Sequence, residues 1–253
     1  MNLKNKITSE VQHQKDIDKF IDANGDLKSF DYIDKFLQHF NFFVSCHVVE
    51  NIPKTGRVVI IANHPLGKLD AFALLYRISK IRKDIKVISS DSFKDCKPLQ
   101  PLLIDVNQNS MTKKKDALSK VYTALDDEMA LIIFPSKNIS IVTPKGIQDE
   151  KWNKLFLKIA KKSRSPILPI YIKTKNSKKF YSLYTLSKKL SSMLLANEIF
   201  NQKVKSIDIM IGNIILHQNI ISKDIQKKDL IKLYKKHIYN ICEKNTLFKT
   251  EAI

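Results

Sequence analysis

Five consecutive apolar residues, Val58-Val59-Ile60-Ile61-Ala62, four of them β-branched, run directly into Asn63-His64-Pro65-Leu66-Gly67. A short β-branched run of this kind reads as a strand buried on both faces, which demands helices above and below it. After Gly67 the apolar residues Leu69, Phe72, Ala73 and Tyr76 recur at helical spacing, so the strand is predicted to feed a helix. Pro65 pushes His64 out of the α region, and Gly67 permits a sharp turn. His64 therefore lies before the helix and Asp70 in its first turn. On one continuous helix, positions six apart are separated by roughly 240° and face away from each other, so only the turn lets these two meet.

Such a pair has a definite use. An imidazole accepts a proton at one nitrogen when an acceptor holds the proton on the other, and a carboxylate at the start of the helix supplies that acceptor. The competing reading gives His64 and Asp70 only turn and helix-cap duties.

Strand and helix patterns alternate along the rest of the chain. Strands are predicted at Phe42–Val49, Ile85–Ile88, Leu102–Val106, Ala130–Pro135, Pro166–Ile172 and Val204–Ile211. Helices are predicted at about Lys114–Leu125, Trp152–Lys161 and from Ser222 onward. The expected fold class is α/β, with a mostly parallel central sheet flanked by helices. Ahead of it, residues 1–40 carry two amphipathic patterns. Val11, Ile17, Phe20 and Ile21 stop at Asn24-Gly25, and Phe30, Ile33, Phe36, Leu37 and Phe40 follow. The favoured reading is an N-terminal helical hairpin on the core, with a membrane-facing amphipathic role as the alternative. Residues 41–253 then form one α/β domain. The 5 glycines and 8 prolines leave no room for a long flexible linker.

Composition narrows the partners. A net charge of +19 calls for an acidic one, whether nucleic acid, anionic lipid or an acidic carrier or coenzyme. Cys46, Cys96 and Cys242 lack the spacing of a disulfide framework or a metal cluster, which favours a reduced, cytoplasmic protein. The polar N-terminus carries no signal-peptide pattern, and no apolar run reaches the roughly 18 residues of a spanning helix. Work on lipid would thus be done from the membrane surface. In 173–203, lysines alternate with Phe180, Tyr181, Tyr184 and several leucines, as in a basic amphipathic helix. No glycine-rich phosphate loop, zinc spacing or Gly-x-Ser-x-Gly elbow is present. His13, His39, His47, His217 and His237 stand without acidic or cysteine partners at ligand spacing. Tyr122 and Trp152 are expected in the core.

Asn63-His64-Pro65-Leu66-Gly67-Lys68-Leu69-Asp70 resembles the first block of the glycerolipid acyltransferase (PlsC-like) family, in its hemolysin-like lysophospholipid acyltransferase branch. Ile133-Phe134-Pro135-Ser136-Lys137 stands where that family has its third block, and Ser165-Pro166-Ile167-Leu168-Pro169 resembles the fourth. With Asn176-Ser177 and Glu198-Ile199-Phe200-Asn201, the similarity extends over about residues 42–215. Two departures stand out. Ser136 and Lys137 occupy positions where the family tends to have an acidic residue or glycine, and Lys68 replaces a usual glycine.

The resemblance implies a peripheral membrane acyltransferase without a bound cofactor. It would move a fatty acyl group from acyl carrier protein or coenzyme A to a lysophospholipid or lyso-amino-acid lipid, on the inner face of the cell membrane. His64 would be the general base and Asp70 its orienter, with no metal. Asn63 and the backbone at Gly67 would hold the oxyanion, and Ser136, Lys137 and Lys68 an anionic group of acceptor or donor. No specific nucleic acid is expected as a partner. The alternative is a basic binding protein of the same fold that docks on anionic lipid or nucleic acid without turnover.

Overall fold

The computed structural model describes residues 15–89, 96–106, 110–178, 180–182, 205–221 and 226–247. Its centre is a seven-stranded sheet in the order β1-β9-β8-β2-β5-β3-β4. The strands are β1 (Phe42–His47), β2 (Val58–Ala62), β3 (Ile85–Ser89), β4 (Leu103–Asp105), β5 (Ala130–Ile133), β8 (Ile167–Lys173) and β9 (Lys205–Ile211). Every neighbouring pair is parallel except β8 with β9. The α/β class with a mostly parallel sheet, expected from the sequence, is the one observed.

β2 is the middle strand, between β8 and β5, and all five of its residues are buried. Successive side chains of a strand point to opposite faces, and β2 divides accordingly. Val58, Ile60 and Ala62 belong to one hydrophobic cluster, with α2 (Ser29–His39) and α3 (Lys68–Ile78). Val59 and Ile61 belong to a second, with α4 (Met111–Asp126), α5 (Leu155–Lys162), α6 (His217–Ile221) and α7 (Lys227–Leu247). The sheet is thus the wall between two cores, and its central strand is apolar throughout because it serves both.

The described N-terminal part begins with α1, helical over 15–23, and a turn that Asn24 caps by donating from its side-chain amide to the Phe20 carbonyl at 2.9 Å. Phe20 then meets Tyr32, Phe36 and Phe40 at ring separations of 5.5, 5.4 and 5.4 Å, and Phe36 meets Phe72 of α3 at 4.8 Å. The aromatic face of the hairpin is buried against the helix that follows the His64 turn.

Several boundaries differ from the periodicity. β1 stops at His47 because Val48 adopts a left-handed conformation, φ 60°, and opens a single 3-10 turn, Val49–Asn51. Leu102 ends a 3-10 segment, Lys97–Leu102, before the short strand β4. Trp152 does not start α5; it lies in a bridge with Ser136, and the helix begins at Leu155. Trp152 is nonetheless core, 4% exposed. Tyr122 is half-buried under the Lys162 ammonium, 4.2 Å from its ring centre.

The hairpin of β6 (Ile141–Thr143) and β7 (Gly146–Gln148) was not expected, although Pro144-Lys145-Gly146 between β-branched residues is a turn signal and Gly146 has φ 91°. Phe180 and Tyr181 pack on this hairpin. The rest of the basic stretch, 183–203, lies outside the described residues, as do Val11, His13 and Ser222. Among the described residues, no helix is long and apolar enough to cross a membrane.

Candidate active site

The site forms where β2 ends and α3 begins, at the carboxyl edge of the parallel strands. Asn63 leaves the strand with its side chain buried. It donates to the Ile172 carbonyl at 2.9 Å and accepts the Ile172 N–H at 2.7 Å, which stitches the end of β2 to β8. Gly67 caps α3 with φ 71° and ψ −126°, a conformation that L side chains avoid. Its carbonyl accepts the Asp70 N–H at 3.0 Å, so the helix starts one residue after the turn.

Asp70 is fully buried, and its Oδ2 does two things at once. It accepts the Leu66 N–H at 2.9 Å and stands 2.9 Å from His64 Nδ1. The carboxylate that ties down the turn at Leu66 thus also faces the imidazole. Burial pushes the Asp70 carboxyl above its ordinary range, against the lowering effects of His64 and the Leu66 N–H, and the nearby Asp149 raises it further. A helix N-terminus favours the anion. His64 keeps about a fifth of its side chain exposed, and its ring lies against Phe134, with centroids 4.5 Å apart.

Further groups meet the turn from distant parts of the chain. Asp149 accepts the His64 N–H at 3.0 Å, and the Ser140 N–H donates to the His64 carbonyl at 2.9 Å. The Asn176 side-chain amide donates to the Pro65 carbonyl at 2.9 Å, while its Oδ1 is buried and has no partner among the described residues. Asp149 escaped the sequence reading entirely. It lies 85 positions from His64, and no local pattern spans that gap. Asn176 had shown only as part of the family resemblance.

The remaining sequence candidates are spread around this centre. Ser136 is buried, and its hydroxyl donates to the Asn138 carbonyl at 2.7 Å. Lys137 and Lys68 are exposed. Both polar ends of the Asn63 amide are engaged by Ile172, so the structure places that side chain as a clamp between strands. Among the described residues, no group of histidine, cysteine and acidic side chains could hold a metal ion.

Comparison with known proteins gives the family. The chain belongs to the acyltransferase family whose sequence model matches residues 4–247. The resemblance to glycerolipid acyltransferases read from Asn63 to Asp70 therefore holds. Its relatives include a lyso-glycine lipid O-acyltransferase of Bacteroides thetaiotaomicron, 25% identical over 210 residues, covering 80% of this chain and 77% of that protein. Another is a lyso-glycine lipid O-acyltransferase of Phocaeicola vulgatus, 24% identical over 209 residues, covering 80% of this chain and 75% of that protein. Among solved structures, the 1-acyl-sn-glycerophosphate acyltransferase PlsC of Thermotoga maritima superposes with a TM-score of 0.54 at 17% identity, over 85% of this chain and 79% of that one. At that identity the likeness speaks for the fold.

Proposed function

We propose that this chain is a lysolipid O-acyltransferase in which His64 removes the proton from the acceptor hydroxyl as that oxygen attacks the carbonyl of an acyl thioester. The observation that carries the reading is the 2.9 Å approach of Asp70 Oδ2 to His64 Nδ1. A proton held on Nδ1 by a carboxylate leaves the lone pair of Nε2 for the acceptor, and the same carboxylate stabilises the imidazolium that forms. The acceptor's oxygen forms the new ester bond, the thiolate leaves, and the imidazolium returns its proton to that thiolate. No acyl-enzyme is required.

The backbone behind Gly67, at the N-terminus of α3, is where the developing oxyanion would find donors. Lys137 and Lys68 are the cations to meet an anionic group of acceptor or donor. The lyso-glycine lipid acyltransferases among the relatives favour a lyso-amino-acid lipid as acceptor, with a lysophospholipid next. The donor is an acyl thioester of acyl carrier protein or coenzyme A. A chain of this net charge would work on an anionic membrane surface.

Acyl transfer from radiolabelled acyl carrier protein and acyl-coenzyme A onto a panel of lysolipids, lyso-glycine lipid and lysophosphatidate among them, tests the proposal. Labelled diacyl product from wild type, reduced at least about a hundredfold in His64→Ala, is expected. Equal product from both proteins would overturn His64 as the base. No product from folded wild type with any lipid would turn the reading to a binding protein.

A further inference from the structure

His64 is held by two carboxylates. Asp70 faces its ring, and Asp149 takes its backbone N–H at 3.0 Å. Asp149 lies just beyond β7 and is 2% exposed. Its Oδ1 accepts the Ser140 hydroxyl at 2.5 Å as well as the His64 N–H, and its Oδ2 accepts the Trp152 indole N–H at 2.7 Å. The Ser140 N–H in turn donates to the His64 carbonyl at 2.9 Å. Both polar groups of the His64 backbone are thus held from the segment that carries the β6–β7 hairpin.

Asp149 is fixed in its turn by α7. Its own N–H donates to the Tyr239 hydroxyl at 2.7 Å, and its carbonyl accepts the Lys235 ammonium at 2.5 Å. Burying a carboxylate is costly, and donors that converge on it are what make the burial tolerable. A carboxylate is also the side chain the place requires. It accepts with both oxygens, whereas an asparagine would set its NH2 against either the indole N–H or the pair of donors at Oδ1.

The geometry points to Asp149 as a positioning residue of the active turn. Asp70 orients the imidazole about its ring nitrogens, and Asp149 fixes the peptide from which the imidazole springs. The Cα–Cβ direction of His64, and with it the reach of Nδ1 to Asp70 and of Nε2 to the acceptor, depends on that peptide. A displacement of about 1 Å at a reacting group can cost roughly a hundredfold in rate. The inference rests on the acyl-transfer reading for its consequence in rate, but its geometric part stands on the backbone alone.

The test compares wild type, Asp149→Ala, Trp152→Phe, Asp149→Asn and the double variant Asp149→Asn/Trp152→Phe, by acyl-transfer kinetics and by NMR of His64. In Asp149→Ala the His64 amide should exchange at least about tenfold faster while the Ile60 amide of β2 is unmoved. With it, kcat should fall at least about thirtyfold and both KM values change less than about twofold. Trp152→Phe, which leaves the contact to the His64 N–H intact, should keep kcat within about fivefold. Asp149→Asn alone should fall well below that, and the double variant, freed of the indole N–H, should recover most of the loss.

Unchanged kcat in Asp149→Ala with an opened His64 amide would overturn the inference. So would Trp152→Phe falling as far as Asp149→Ala, which would make the cluster a structural plug. Should Asp149→Ala not fold, the ordering of the two Asn variants decides in its place. If wild type transfers no acyl group to any lipid, the functional reading fails separately. The imidazole nitrogen shifts then decide: loss of the Nδ1-protonated tautomer in the Asp149 variants supports positioning, and its persistence overturns it.

Discussion

Asp70 Oδ2 lies 2.9 Å from His64 Nδ1 and 2.9 Å from the Leu66 N–H, so one oxygen closes the turn and faces the imidazole. The two roles cannot be separated by moving the turn, because any shift of Leu66 moves the acceptor that the ring sees. Local strand-to-helix geometry and the orientation of the proposed base are one feature.

Asp70→Asn therefore changes chemistry more than shape. Either way the amide sits, the pair is damaged. With its oxygen at the Oδ2 position it keeps the Leu66 N–H but faces Nδ1 without charge; with its NH2 there it meets the Leu66 N–H donor to donor and favours the tautomer protonated on Nε2. Acyl transfer should fall on the order of a thousandfold, by analogy with the loss when the carboxylate of a Ser-His-Asp triad is made an amide. Steady-state kinetics on the wild-type acceptor would show it.

The same variant carries a stability prediction with a definite sign. Burial raises the Asp70 carboxyl in the folded state, so the folded protein holds that proton more tightly than the unfolded chain. Wild-type stability should then decline as pH rises from the ordinary aspartate range, about 4, toward the raised value. Asp70→Asn lacks this term, so its stability relative to wild type should increase with pH over that window. Urea unfolding at several pH values would reveal a flat or opposite difference if the carboxyl were not raised.

Asn63→Ala separates a clamp from a catalytic donor. Both bonds to Ile172 are buried, and losing them should cost about 2–4 kcal/mol of stability. Melting temperature should drop, with kcat per folded molecule reduced only as far as the turn loosens. A large fall in kcat at unchanged melting temperature would restore Asn63 to the oxyanion.

Gly212→Ala tests the approach of α7 to the sheet edge. A Cβ there would sit 2.7 Å from Ile241 Cδ1 and 2.9 Å from the Pro169 carbonyl oxygen. The helix side chain can turn away, but the carbonyl belongs to β8 and cannot. A destabilisation of about 1–3 kcal/mol is expected in chemical denaturation.

Arg82→Met probes the opposite end of the sheet. The buried guanidinium donates to the carbonyls of Pro53, Gly56 and Glu128 and pairs with Asp84. Three carbonyls would lose their donor at once, so a loss of about 3 kcal/mol or more is expected, with the midpoint of urea unfolding as the measure. Activity of the remaining folded protein should be untouched, because His64 lies at the far end of β2.

Much of the fold was legible because it rests on local periodicity. The all-apolar β2 could only be an inner strand, and alternation of strands with helices led to a mostly parallel sheet. The misplacements have local causes too. Val48 turns left-handed where β-branching suggested continued strand, and Trp152 bridges to Ser136 where its apolar character suggested a helix start. The hairpin at 141–148 was missed because its strands are three residues each, too short for alternation to register.

For the site, the sequence by itself singled out His64 and Asp70 as a candidate pair. Pro65 and Gly67 force a turn between strand and helix, and only such a turn lets the two side chains meet. Only the tertiary structure decided what holds that turn in place. Asp149 and Ser140 grip the His64 backbone, Asn176 grips Pro65, Phe134 lies against the ring, and Asn63 is spent on Ile172. These partners lie tens of residues away and meet the turn because parallel strands bring the ends of separate crossovers to one edge of the sheet. A buried polar group must find a partner, but the chain does not say locally which distant group will supply it.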